Sequence, residues 1–292
     1  MIADIRCAFE TRDTLGETPL WCEKTQTLWW LDIDGCKLHC LQPQSGKHAE
    51  YHFDCNFVGS LALRSQGGLL IALDRALHTF DPASGKLHPF VQVESEHQDT
   101  RLNDGRCDAR GRFWVGSMDN QLSRPSGAFY RIDPDGNVVR MFGDVIVSNT
   151  IAMAPDQKTL YFSDTRRYIT WAFDLDVEKG RIGNRRIFVD YTSTNERPDG
   201  ACIDAEGFLW NAMFAGGRVV RHAPDGRLDR TIELPVTNPT CVCFGGPDLR
   251  TLYVTTGRKF LSEEQLRNEP LAGALLAIDV DVEGLPEATF GG

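Results

Sequence analysis

An all-β chain folded as a six-bladed β-propeller, with four antiparallel strands in each blade, is what this sequence predicts. Three observations carry that reading. A polar or small residue, an apolar alternation, a turn and an aromatic-rich strand recur in that order six times. The copies start roughly 40 to 50 residues apart, the spacing of propeller blades. Period-two alternation, interrupted about every 8 to 12 residues by turn signals, marks short antiparallel strands.

The copies follow one another along the chain. The first is Glu17–Ile33 (ETPLWCEKTQTLWWLDI) and the second begins near Gly59 (GSLALRSQGGLLIAL). The third begins at Asn103 (NDGRCDARGRFWVGSM) and the fourth at Asn149 (NTIAMAPDQKTLYFSD). The fifth begins at Asp199 (DGACIDAEGFLWNAM) and the sixth near Pro239 (PTCVCFGGPDLRTLYVTT). Each continues into two further alternating segments joined by hairpin chemistry, such as Pro134–Gly136, Pro224–Gly226 and Ala83–Gly85. Four strands in each of six copies give a closed ring. Ile5–Phe9, which precedes the first copy, is expected to close it as the outer strand of the last blade. Trp29, Trp30, Trp114, Tyr161, Trp210 and Tyr253 recur at matching positions and are expected to pack between blades. A helical period is suggested only at Ser262–Asn268, inside one long loop. Residues 1–292 are therefore expected to form one propeller domain.

Bulk composition narrows the function. A net charge of −10 with mixed signs lacks the basic face that a nucleic-acid partner requires. No apolar run is long enough to span a bilayer, and MIADIRCAFETRD lacks the order of a secretory signal, so a cytoplasmic protein is expected. A monomer or weak homo-oligomer is expected. The nine cysteines are odd in number and show no C-x-x-C pair, so buried free thiols are expected. Neither a G-x-S-x-G elbow nor a phosphate loop appears. The histidines (His39, His48, His52, His78, His88, His97 and His222) show no ligand spacing.

The innermost strand of a propeller blade starts at the mouth of the central channel, so the residues heading successive copies face one another there. These heads are Glu17, Gly59–Ser60, Asn103, Asn149, Asp199 and Pro239–Thr240. Any one of the polar heads alone reads better as a turn residue; together they do not. Two carboxylates about 5 Å apart repel by roughly 3 kcal/mol at an effective dielectric near 20, so something positive must offset them. A divalent ion held by Glu17, Asp199 and the Asn149 amide oxygen would do so. All-oxygen ligation suits Ca²⁺, Mg²⁺ or Mn²⁺, with Zn²⁺ or Fe²⁺ as alternatives. Arg101, two residues before Asn103, is positioned to enter the same funnel. The loops Asp119–Gly127 and Thr255–Gly273 are long enough to wall it.

The strings GETPLW (Gly16–Trp21), RLNDGRCDARGRFWVGSM (Arg101–Met118), SNTIAMAPDQKTLYFSD (Ser148–Asp164) and RPDGACIDAEGFLW (Arg197–Trp210) closely resemble the senescence marker protein/regucalcin/gluconolactonase family. The resemblance runs from about Gly16 to Gly273 and implies the same propeller. It implies metal ligation by Glu17, Asn149 and Asp199, and substrate contacts from Arg101 and Asn103. The family's acidic residue after its G-[ST]-M segment, which contacts sugar hydroxyls, corresponds to Asp119. The chain departs from the family at Thr150, where glycine usually follows the ligand asparagine.

The resemblance further implies hydrolysis of a sugar aldonolactone to its acid, with the metal as Lewis acid on the carbonyl. Asp199, or a hydroxide carried by the metal, is the effective base. Arg166 and Arg167, in the rim loop of the fourth copy, would favour an aldaro- or uronolactone if they face the funnel. Two rivals are a calcium-binding regulatory protein without catalysis and a metal-dependent phosphotriesterase or arylesterase. The latter would want an apolar funnel, whereas Arg101, Asn103 and Asp119 suggest a hydroxyl-rich substrate.

Overall fold

A computed structural model describes residues 4–95 and 98–292, so His97 lies outside the described residues. The strands form six four-stranded antiparallel sheets, the arrangement of a six-bladed propeller. The innermost strands, in chain order, are Gly16–Cys22, Val58–Leu63, Thr100–Cys107, Ser148–Met153, Arg197–Ile203 and Pro239–Gly245. Blade one shows the common pattern: Gly16–Cys22 and Thr27–Asp32 are buried almost throughout, Lys37–Gln42 alternates, and Lys47–His52 is largely open. Neighbouring sheets cover both faces of the inner strands, which explains their continuous apolar runs, whereas outer strands meet solvent on one side.

The ring closes as expected. Ile5–Phe9 pairs antiparallel with Leu275–Asp279, and Arg6 forms an ion pair with Asp279 at 2.7 Å across that seam. The one helix among the described residues is Glu263–Asn268, which Ser262 caps with a reciprocal Gln265 bond. Among the described residues no helix is long and apolar enough to cross a membrane.

The repeated aromatics pack as expected, and three of them show why the repeat conserves acids as well. Trp30, Trp114 and Trp210 are fully buried. Their indole N–H groups donate to Asp13 (3.0 Å), Asp108 (2.9 Å) and Asp204 (2.8 Å). In the latter two, the other carboxylate oxygen accepts the N–H groups of the following turn. One aspartate thus closes a hairpin and satisfies a buried indole that would otherwise be costly.

All nine cysteines are free, but only Cys107, Cys202, Cys241 and Cys243 are buried. The expectation of buried thiols fails for the other five, of which Cys7 is exposed and Cys22, Cys36, Cys40 and Cys55 are partly buried.

Two features place the channel residues. Every innermost strand breaks register near its start, between Glu17 and Leu20, Val58 and Leu61, Leu102 and Gly105, Asn149 and Ala152, Pro198 and Ala201, and Pro239 and Cys241. Such bulges twist a strand and re-aim its side chains, here toward the axis. The inner strands also approach one another closely. A Cβ on Gly59 would stand 2.3 Å from the Leu102 carbonyl oxygen, and one on Gly200 would stand 2.2 Å from Cys241 Sγ.

The segment 280–292 crosses the opposite end of the channel. Its backbone pairs with the turns that follow the inner strands, at Ser65, Gly111, Ala205 and Leu249. Phe290 is fully buried there, and Glu287 meets Arg106 at 2.6 Å.

Candidate active site

At the mouth of the channel lies a pocket of about 340 Å³ whose lining includes Glu17, Arg101, Asn103, Asn149 and Asp199. Five distant positions on four blades therefore converge as expected, and each is buried.

A one-way hydrogen-bond relay fixes three of them. Arg101 Nη1 donates to Asn103 Oδ1 (2.5 Å), and Asn103 Nδ2 donates to Ser148 O (2.8 Å) and Asn149 Oδ1 (3.1 Å). Asn149 Nδ2 then donates to Thr165 Oγ1 (2.8 Å), which donates to Pro198 O (2.7 Å). The direction is forced: a guanidinium can only donate and a carbonyl can only accept. Both amides are thereby held in one orientation, with the Asn149 oxygen turned away from Thr165. Thr150 adds a second tie, since its hydroxyl donates to Asp199 O at 2.6 Å. It sits at φ +57°, left-handed backbone that suits the family's glycine better than a β-branched residue. The threonine accepts strain there while gaining a hydrogen bond glycine cannot make.

The charges at this end are unbalanced. Burial, then repulsion from Asp104, pushes the Glu17 carboxyl up to about 8, against the Thr18 N–H and Arg101. Burial, then Glu17 and Asp104, pushes Asp199 well above the usual carboxylate range. Burial lowers Arg101 to about 10 although Asp34, Glu17 and Asp199 oppose the change, and its guanidinium lies over the Phe57 ring at 5.3 Å. Two adjacent acids so placed need a proton or a cation. Among the described residues no three His, Cys, Asp or Glu side chains gather to hold a metal. The donor set that fits a hard cation is two carboxylates and the oriented Asn149 amide oxygen.

Asp119 is not brought to the funnel wall. Its side chain is fully buried at the base of the third-blade loop, accepting from Arg124 Nη2 (2.8 Å), Arg124 N (2.9 Å) and Ser123 N (3.1 Å). Burial alone would raise its carboxyl, but these bonds hold it well below the usual range. It clamps the loop, and Leu122 from that loop reaches the pocket instead. Arg166 lines the pocket, whereas Arg167 is held by Asp144 (3.0 Å) and Asp164 (3.2 Å).

The sequence reading missed Thr165, Arg197, Lys259 and Phe260, all in the lining. Arg197 carried a usable signal: it precedes Asp199 by two, as Arg101 precedes Asn103. Leu15, Ile33, Met118, Val147 and Phe214 make the wall more apolar than the polar heads suggested.

Residues 15–258 match the model of the SMP-30/Gluconolactonase/LRE-like region. Similar chains include 6-deoxy-6-sulfogluconolactonase of Pseudomonas putida, 38% identical with 99% of each chain covered. Regucalcin of Gallus gallus is 36% identical over 99% of this chain and 98% of its own. A solved structure, a calcium-binding protein, regucalcin, from Agrobacterium tumefaciens, superposes with a TM-score of 0.95 at 32% identity, covering 99% of this chain and 98% of its own.

Proposed function

The chain belongs to the SMP-30/gluconolactonase/LRE-like family, and on that premise we propose that it is a lactonase that opens a sugar lactone to the corresponding acid. The observation that carries the reading is the pair of buried acids, Glu17 and Asp199, that line one pocket with a fixed Arg–Asn–Asn relay.

Glu17, Asp199 and the amide oxygen of Asn149 would hold one divalent cation of the oxygen-loving kind, Ca²⁺, Mg²⁺ or Mn²⁺, with Zn²⁺ or Fe²⁺ as alternatives. When bound, such an ion supplies Lewis acidity toward the lactone carbonyl. Arg101 bonds through Nη1 only, to Leu102 O and Asn103 Oδ1, which leaves Nε and Nη2 to orient the ring oxygens. Asn103, held on both sides, keeps that guanidinium in place. Asp199 accepts the proton of the attacking water as its oxygen bonds to the carbonyl carbon. The ring C–O bond then breaks, and the departing oxygen takes up a proton. Asp199 is buried in the pocket lining beside Asn149 and Arg197, which supports this role.

The test is proton release from a panel of aldono-, aldaro- and uronolactones with and without chelator. Turnover that chelator removes and a divalent ion restores supports the reading. Calcium binding without turnover on any lactone would favour the rival of a calcium-binding protein without catalysis; one relative is a calcium-binding protein. The apolar wall is what would favour an aryl ester, so phenyl acetate belongs in the panel; faster turnover of it than of every lactone would overturn the sugar reading.

A further inference from the structure

Four cationic side chains line the funnel, and they differ in what neutralises them. Arg101 is buried within the relay, and Lys259 Nζ lies 2.8 Å from Asp34. Among the described residues the Arg166 side chain donates through Nε, to Leu122 O at 3.0 Å, and both terminal nitrogens of its exposed guanidinium are open. Arg197 is half-buried, and its guanidinium has no hydrogen-bond or ion-pair partner among the described residues. Arginines beside them are treated differently. Arg167 is paired with Asp144 and Asp164, and Arg218 with Glu196.

Arg166, Arg197 and Lys259 come from blades four, five and six, which are consecutive around the ring. They therefore occupy one arc of the rim, while the opposite arc offers Leu15, Ile33 and Met118. In a chain of net charge −10, a rim arc with two incompletely neutralised guanidinium groups is shaped for a negative ligand. A planar fork matches an oxyanion with two parallel N–H bonds, which a neutral hydroxyl cannot return.

We propose that this arc is a subsite for a fixed oxyanion, a carboxylate, sulfonate or phosphate, carried by the lactone at the end away from its ring carbonyl. This rests on the lactonase reading. Arg197 is the central contact, Arg166 the second, and Arg167 takes no part.

The test compares kcat/KM for gluconolactone with that for glucarolactone, 6-deoxy-6-sulfogluconolactone and 6-phosphogluconolactone, which separate the three oxyanions. At least one anionic lactone should exceed gluconolactone about tenfold or more, as a charged hydrogen bond allows. Arg197→Gln should return that ratio toward one, mainly through KM, and Arg167→Gln should leave it unchanged. A wild-type ratio near one for all three, or a ratio untouched by Arg197→Gln and Arg166→Gln together, overturns the proposal. If no lactone is turned over, the lactonase reading fails by itself. The subsite is then judged by calorimetric binding of 6-sulfogluconate against gluconate to the metal-loaded protein: tighter binding of the sulfonate supports it, and equal binding overturns it.

Discussion

The two ends of the channel bury charge in opposite ways. At the closed end, Arg106 meets Glu287 at 2.6 Å and donates to Ala201 O at 3.0 Å. At the open end, Glu17 and Asp199 face each other, and the nearest cation, Arg101, is itself lowered by burial. Burial by itself therefore does not mark a site. Burial with the charge left unbalanced does, because a fold tolerates that strain only where a ligand relieves it.

This contrast can be broken first at the open end. Glu17→Ala and Asp199→Ala should each lower lactone turnover by about a thousandfold or more, the scale of losing a principal electrostatic group. The metal-free melting temperature should hold or rise, since one of two repelling acids is gone. Near-wild-type turnover in either variant, measured by proton release, would remove that residue from the mechanism.

At the closed end the same kind of truncation should act on stability. Glu287→Ala leaves Arg106 buried without its carboxylate and should cost about 3–5 kcal/mol in urea unfolding. An unchanged midpoint would show that the pair contributes nothing.

A buried group belonging to neither end gives the scale between them. Burial lowers His222 to about 4, and its Nδ1 has no partner. Its folded value lies below its unfolded value, so the stability it permits is present above pH 6.5 and is lost as pH falls toward 4. The loss should be on the order of 3 kcal/mol, at 1.36 per pH unit. His222→Phe should flatten that part of the stability profile, and an unchanged slope would assign it elsewhere.

Adding a divalent cation at about 100 times its Kd should then stabilise the wild type by about 2.7 kcal/mol, with no gain in a Glu17→Gln, Asp199→Asn double variant. Equal gains in calorimetric scans would place the ion elsewhere. The smallest change is expected from Thr150→Gly. Relief of the φ +57° strain and loss of the bond to Asp199 O should nearly offset in stability, within about 1 kcal/mol. Turnover should still fall several-fold, because Asp199 loses a tether. Unchanged turnover would leave Thr150 a merely tolerated residue.

Particular residues show how far the sequence could be read. The sixfold recurrence exposed the blades, and the heads Glu17, Asn103, Asn149 and Asp199 stood out because a propeller brings the starts of its inner strands to one mouth. The register breaks beside those heads left no pattern in the apolar alternation, although they aim the side chains. Asp119 looked like a funnel residue from its place after Met118, but a residue ending a strand can equally turn back to brace its own loop, and Arg124 five positions later draws it there. Segment 280–292 was opaque for a different reason. It buries Phe290 and pairs the partly buried Glu287 with Arg106 against the ends of other blades, and has no repeat of its own to betray it.

The seam of the ring has a consequence for how the chain is made. Ile5–Phe9 leaves the ribosome long before Leu275–Asp279, the strand it pairs with. Until then Ile5–Phe9 has no strand partner and the unfinished ring leaves blade faces uncovered, and either can capture a neighbouring nascent chain. The last blade is therefore where the ring can shut, with the Ile5–Phe9 strand as its latch.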